Sequence, residues 1–525
     1  MEWKVKKRLK EKIAKQNIRG FSVGDVINYL KEKGIEIVQL DFQKCLKRLA
    51  QKYAISPGAI SRYLSGIGIG AVAALTGISL ESIEEGLRAR LAGREKLIEH
   101  NLYLINLVIE EIRSNHGTPF KLKGPVTDSR EFLVVTGNDI IAMGKIVGGL
   151  RVQTYYPITP AADENLYLEE KMLLRIGNKS LGGIVVMQTE DEIAAIASAI
   201  GAALAGARAA TSTSGPGFSL MVEGLGWAGM NEVPVVITYY QRGGPSTGMP
   251  TRGVQSDLFF TLYAGHGEFA RIVLASGDHL EAFYDAVEAF NLAEKHQVPV
   301  IHLVDKFLAN STATIPLPDL SRVRIERGNI IEDNKEYYKR FDLERIVSPR
   351  AFLGSNAIMW YTGSEHDEYG HVSEDPVNRL EMYEKRIKKM DLIDQELSEE
   401  KRVILYGSKK PQLVLIGWGS TKGPILDALP RLESLGEVAY LHFRVLVPFP
   451  KRIVREVISG AEKVIGVEHS YFVQIADLVS LHTSIPVPYR IAKWTGRPIY
   501  ENEIVDAVKK IVEENKKRVV LTYGE

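Results

Sequence analysis

This chain of 525 residues lacks all but one cysteine, Cys45. An internal disulfide is therefore impossible, and so is a cysteine-ligated iron–sulfur cluster or a cysteine-rich zinc site, since each takes several thiolates. Any electron-carrying cluster must sit on another chain. An excess of one charge is lacking too. The 66 basic and 65 acidic residues leave a formal net charge of +1, so no bulk field draws the chain to nucleic acid or membrane. No apolar run reaches about 18 residues, and Met1 leads into a lysine-rich stretch without a signal peptide. The expectation is a cytoplasmic protein with no nucleic-acid and no membrane partner. No internal repeat or low-complexity tract is present. Roughly two to four domains are expected, because single cores rarely grow past about 250–300 residues.

Residues 1–115 read as helical and charged. Val5, Leu9 and Ile13 recur at helical spacing among lysines, and similar patterns follow to about residue 98. Cys45 lies in one of these helical stretches and reads as a small packed residue. The basic run at 4–8 reads as a solvated helix face. From Phe132 the texture changes. Phe132-Leu133-Val134-Val135-Thr136-Gly137 is a short apolar run, and Asn138 stands where it could cap a helix. Comparable runs begin near 183, 209, 233, 271 and 298 and alternate with helical patterns. Continuous apolar strands between helices indicate a parallel sheet covered on both faces. Residues 316–405 are polar and irregular, with one helical stretch at 379–390, and read as a long linker that wraps another surface. A second α/β unit starts at Gln412.

Several segments carry chemistry. In Tyr156-Pro157-Ile158-Thr159-Pro160 two prolines fix φ and bias the residues before them to extended geometry, which holds the Thr159 hydroxyl in place. Glu190-Asp191-Glu192 opens a helix built largely of alanine and glycine, able to pack very closely on a neighbour or a ring. The dipole at that helix start accounts for Glu190 and Asp191 as solvent-facing acids better than it accounts for Glu192. Thr213-Ser214-Gly215-Pro216-Gly217 is a small-residue turn. The strand at 234–241 runs into Arg242 and a glycine-rich loop that also holds Thr251 and Arg252. An arginine at the carboxyl end of a parallel strand stands where such sheets bind ligands, and its fork suits a carboxylate.

Three other segments are weaker. The loop at 417–423 lacks Walker A spacing; tight strand–helix packing is the ordinary reading, contact with a phosphate the other. The glycine run at 66–70 has no strand before it and is rejected as a dinucleotide fingerprint. Glu365-His366-Asp367-Glu368 offers hard ligands for a metal.

Residues 156–160, Glu192, 211–217, Arg242 and 493–498, in that order, resemble the 2-oxoacid:ferredoxin oxidoreductases. The similarity is to the alpha subunit of the archaeal two-subunit type, with a gamma-like domain fused ahead. It covers about 125–515. The resemblance implies an α/β fold: a pyrimidine-type thiamine-diphosphate domain over 125–315, a linker over 316–405, and a transketolase C-terminal-like domain over 406–515. A mostly helical, partial gamma-like segment over 1–115 precedes them. It implies that Glu192, with Glu190 the lesser choice, hydrogen-bonds the aminopyrimidine N1′ and favours the imino tautomer. Tyr156, Pro157, Ile158 and Gly215 would also touch the coenzyme. Thr159, Arg242, Thr251 and Arg252 would bind the 2-oxoacid. Thr159 and Arg242 would join Glu192 in catalysis. The 365–368 run would serve packing and subunit contact, with no metal on this chain.

The thiamine-enzyme element that holds Mg²⁺ and the diphosphate, Gly-Asp-Gly with a later asparagine, is missing. The resemblance therefore implies a beta subunit bringing that motif, Mg²⁺ and a [4Fe-4S] cluster. A heterodimer or a dimer of heterodimers would pass electrons to ferredoxin, with coenzyme A as cosubstrate and pyruvate or 2-oxoglutarate as donor. Two departures stand out. The opening strand and glycine-rich loop of the gamma-like domain are not in the sequence, and Glu468-His469-Ser470 replaces the commoner Glu-x-Asn. A non-oxidative thiamine-enzyme component and a non-catalytic assembly subunit are the competing readings.

Overall fold

The structure, a computed structural model, describes residues 3–16, 18, 20–124, 131–331 and 337–523. It divides into two bodies, Met1–Ser129 and Arg130–Glu525.

The first body is helical, as its apolar spacing predicts. Its helices Leu64–Thr76 and Glu95–His116 approach closely because glycines leave room. A Cβ on Gly70 would stand 2.8 Å from the Val108 Cβ and 2.9 Å from the Ile105 carbonyl oxygen. The glycine run at 66–70 thus belongs to helix packing. Cys45 is fully buried beside Leu49, Ile67 and Leu104. Burial, and then the Glu111 carboxylate, push its thiol pKa up, which keeps it unreactive. The stretch Pro57–Thr76 is apolar enough, by length and composition alone, to cross a membrane, with 33% of its apolar window buried in the body.

The two faces of that helix make a paired test. Gly70→Leu should destabilise the first body by about 1–3 kcal/mol through overpacking. Gly68→Ala, whose Cβ meets nothing within 4 Å, should gain up to about 1 kcal/mol from helix propensity. Urea midpoints of the two variants read both effects. Equal midpoints would mean that the helices do not pack through this face.

The second body holds two large sheets. One has seven strands, in the order Val445–Val447, Ile272–Leu274, Val300–Asp305, Val236–Gln241, Ala209–Ser214, Val152–Tyr155, Val185–Gln188. All pair in parallel except Val445–Val447, an antiparallel edge strand lent by the C-terminal region. The inner strands are buried along their whole length, as continuous apolar runs require. The other sheet has six strands, in the order Val403–Gly407, Val438–Phe443, Leu413–Trp418, Lys463–Glu468, Tyr489–Ala492, Arg518–Val520. It begins at Val403, ahead of the expected Gln412.

Two local expectations are corrected. Phe132–Thr136 is not a strand of the parallel sheet; it pairs antiparallel with Thr312–Pro316 in a ribbon of its own. Asn138 does not cap the next helix. Thr136 does, in a capping box with Asp139, and Asn138 is buried with its Nδ2 donating to the Pro160 carbonyl at 3.1 Å. The first residue of that helix, Gly137, has no room for a side chain: a Cβ there would lie 2.1 Å from the Leu308 carbonyl oxygen.

The segment between the sheets wraps this same body. Its helix runs Pro376–Glu396, longer than the 379–390 expected. Lys385 and Lys389 both reach the fully buried Glu232, each at 2.6 Å. Arg350 and Arg327 join Arg208 on the buried Glu294. Buried carboxylates held by several cations fix the segment's path more than they add net stability, since desolvation offsets much of the attraction.

Candidate active site

The carboxyl ends of the parallel strands bring the principal candidate residues to one edge, where open α/β sheets take ligands. Strand Val152–Tyr155 ends in the loop at 156–160, whose Tyr156 is 39% exposed. Strand Val236–Gln241 ends at Arg242, which is only 7% exposed. The two meet: Arg242 Nη1 donates to the Thr159 carbonyl oxygen at 2.7 Å. Arg242 Nε is buried without a partner, and burial alone pushes the guanidinium pKa down. A buried cation with an idle donor is suited to an incoming anion.

Glu192 is the first residue of the helix Glu192–Leu204, with Asp191 as its N-cap accepting from the Ala194 N–H at 2.6 Å. Ala195, Ala199 and Ala203 bury one face of that helix. The neighbouring helix Gly215–Met230 approaches so closely that a Cβ on Gly224 would lie 2.8 Å from Ile196. The Glu192 side chain is buried, and among the described residues no cation pairs with it. Burial raises its pKa, its own backbone N–H opposes the rise, and the Asp191 carboxylate adds to it. The carboxylate lies over Gly217, where a Cβ would come within 2.4 Å of Glu192 Oε1 and 2.1 Å of Thr213 Oγ1. Ser214, which opens this turn, has a buried hydroxyl without a partner.

A cavity of about 290 Å³ continues from this turn, lined by Gly215, Pro216, Tyr239, Arg242 and Asp257 among others. These features fit a ligand that brings a hydrogen-bond donor to Glu192 and an anion to Arg242. Sequence reasoning missed Asp257, which accepts from the Tyr239 hydroxyl at 2.9 Å and whose pKa burial raises. It also missed Lys306, although the strand-end rule that singles out Arg242 applies equally to the residue after Val300–Asp305.

Thr251 and Arg252 do not line this cavity. Their loop folds back through a tight turn at Gly248 (φ +53°), and Arg252 lies against Gly496, where a Cβ would be 2.6 Å from the Arg252 Cβ. The loop at 417–423 faces protein groups. Gly419 sits against Gln255 and Asp305, Ser420 N–H donates to Asp305 at 2.8 Å, and Lys422 is held by Asp278 and Glu281, both at 2.5 Å. Glu468 is buried and accepts from Trp418 Nε1 and from the Gln474 and Ile475 amides, a fastening for the helix that follows. In the 365–368 run, burial opposes ionisation of Glu365, yet the Arg386 and Arg379 guanidiniums hold its pKa at about 2. Glu368 pairs with Lys339 at 2.7 Å. Among the described residues no cluster of three or more His, Cys, Asp or Glu side chains is arranged to hold a metal.

The sequence matches two family descriptions: "Pyruvate flavodoxin/ferredoxin oxidoreductase, thiamine diP-bdg" over residues 143–385, and "Pyruvate ferredoxin/flavodoxin oxidoreductase" over residues 5–111. It is 51% identical over 529 aligned residues to 2-oxoacid:ferredoxin oxidoreductase 1, subunit alpha, of Aeropyrum pernix; the match covers 100% of this chain and 83% of that one. It is 47% identical to the 2-oxoacid:ferredoxin oxidoreductase subunit alpha of Saccharolobus solfataricus, over 98% of this chain and 82% of that one. Among solved structures it is similar to the 2-oxoglutarate:ferredoxin oxidoreductase from Magnetococcus marinus with 2-oxoglutarate, coenzyme A and succinyl-CoA bound. There the TM-score is 0.79 at 33% identity, covering 89% of this chain and 80% of that one.

Proposed function

The chain belongs to the alpha subunits of the 2-oxoacid:ferredoxin oxidoreductases, and on that premise we propose how its own residues serve the reaction. The reaction converts a 2-oxoacid and coenzyme A to acyl-CoA and CO₂, and it yields two electrons for ferredoxin and one proton. Thiamine diphosphate, when bound, supplies a nucleophilic carbon for the keto group and a sink for the electrons left when CO₂ departs. Glu192 accepts a hydrogen bond from the aminopyrimidine ring and so polarises it. Tyr156, Pro157, Ile158 and Gly215 form the wall against that ring. Arg242 grips the substrate carboxylate with the donors that Thr159 leaves free, and the Thr159 hydroxyl orients the keto oxygen. The burial of Arg242 keeps water from the carboxylate, and a carboxylate in a drier site has more to gain from losing its charge.

One observation carries this reading above the others: Glu192, a buried carboxylate with no cation partner among the described residues, lies over a glycine that tolerates no Cβ. The partner beta subunit supplies the diphosphate and Mg²⁺ motif and the [4Fe-4S] cluster, because this chain has neither the motif nor the thiolates. The test is anaerobic reduction of a viologen or ferredoxin by this chain with its native partner, on pyruvate or 2-oxoglutarate, with and without coenzyme A. CoA-dependent reduction is expected. A partner without cluster cysteines and no reduction would shift the reading to a non-oxidative thiamine enzyme.

Gly217→Ala offers a milder probe. The added Cβ must displace Glu192 or Thr213, so coenzyme affinity of the assembled complex should weaken about tenfold, an effect of about 1.4 kcal/mol. Calorimetric titration with thiamine diphosphate measures it. Wild-type affinity would remove the coenzyme from this turn.

A further inference from the structure

Lys306 is the residue after strand Val300–Asp305 and opens the short helix Lys306–Asn310. In the sheet, Gln241 is register partner to Asp305. The next residues along, Arg242 and Lys306, therefore emerge side by side at the carboxyl edge. The loop that carries Thr251 and Arg252 lies on the same helix, since a Cβ on Gly253 would come within 2.6 Å of the Phe307 ring. Asn310, at the end of this helix, donates to Asp163 at 3.3 Å, and Asp163 belongs to the helix that follows the 156–160 loop. The strand end at Arg242, the loop that carries Thr251 and Arg252, and the helix after the 156–160 loop thus converge on the short helix that Lys306 opens.

Its charge is poorly neutralised. The hydrogen-bond partner of the Lys306 ammonium is the neutral Asn310 carboxamide. No described carboxylate forms a salt bridge with it, and Asp163 acts only from a distance. Burial, and then Arg242 and Arg252, push the Lys306 pKa down against the pull of Asp163. Three cations, Arg242, Arg252 and Lys306, thus act on one another at this edge, and Asp163 is the carboxylate that pulls on Lys306. One cation is enough for the carboxylate shared by every 2-oxoacid. A second carboxylate on the substrate calls for another, and a half-buried ammonium on a flexible stem is a point charge that can follow it.

We propose that Lys306 is a specificity-determining residue that takes the distal carboxylate of dicarboxylic 2-oxoacids such as 2-oxoglutarate. The proposal rests on the reading of Arg242 as the grip for the proximal carboxylate. With a short apolar 2-oxoacid the ammonium stays on Asn310. With a dicarboxylic one it leaves that neutral partner for a charged one.

The test uses the complex of this chain with its native partner and compares kcat/KM for pyruvate and for 2-oxoglutarate. Lys306→Met should lower the ratio of 2-oxoglutarate to pyruvate about tenfold, the loss expected when one charged contact to substrate is removed. Lys306→Arg, which keeps the charge, should restore most of that ratio. Equal losses on both substrates, no loss on either, or a Lys306→Arg variant as poor as Lys306→Met would overturn the assignment. A wild-type complex that oxidises pyruvate but not 2-oxoglutarate would overturn it as well while leaving the role of Arg242 standing. Failure of the Arg242 reading shows separately, in the response of pyruvate alone to substitution of Arg242.

Discussion

Glu192→Gln should lower kcat of the assembled complex by about a hundredfold to a thousandfold, within the range typical of a lost acid–base group, and leave the fold intact. Glutamine keeps the shape and an acceptor oxygen but not the charge that polarises the ring. Stability provides the control. Glu192 is buried, and among the described residues no cation pairs with it, so ionising it in the native state costs free energy, and the neutral isostere should be at least as stable. Activity lost while stability is kept or gained is the signature of a site strained for function. The pH profile offers a second check. Burial and Asp191 raise the Glu192 pKa, so the acid limb of kcat/KM should be shifted upward from that of an ordinary glutamate and vanish in the variant. Rates of viologen reduction with pyruvate decide the matter. A Glu192→Gln complex working near the wild-type rate would mean that another group polarises the coenzyme.

Where short-range chemistry decides the outcome, the sequence was legible. Arg242 and the 156–160 loop meet because both follow parallel strands, and strand ends in such a sheet share one edge. Glu192 stands at a helix start because Asp191 caps it. What was not legible depends on packing between distant segments. Phe132–Thr136 has the composition of a parallel strand, yet it pairs with Thr312–Pro316, a choice fixed by residues 176 to 184 positions away. Thr136 takes the cap, with Asp139, while Asn138 is drawn inward to the Pro160 carbonyl, a partner 22 residues on. For the loop at 417–423 the sequence left a phosphate contact open beside tight packing, and its Lys422 is held by Asp278 and Glu281, far off in sequence. Asp257 and Lys306 carry no motif. They are visible only once the register of the sheet sets them beside Tyr239 and Arg242.

Arg242→Ala should lower kcat/KM for every 2-oxoacid by about a thousandfold, the scale of losing a buried charged partner to substrate, with a much smaller fall in kcat at saturation. The split follows from the geometry. The carboxylate is present in the free substrate and is lost only as CO₂ leaves, so most of what Arg242 contributes is felt on binding. Arg242→Lys should recover only part of the loss. An ammonium cannot both donate to the Thr159 carbonyl, as Nη1 does at 2.7 Å, and offer a planar fork to the substrate. The loop at 156–160 would then lose its tie to the strand end, and the Thr159 hydroxyl would be placed less well, so a residual kcat defect should remain in the lysine variant. Arg242→Ala also removes the donor to the Thr159 carbonyl and empties a buried site, so that variant should lose stability, while Arg242→Lys should stay nearer wild type. Steady-state kinetics on pyruvate read all of this. A loss confined to kcat, or a lysine variant equal to wild type, would mean that Arg242 acts on the later steps of the reaction and that another cation binds the carboxylate.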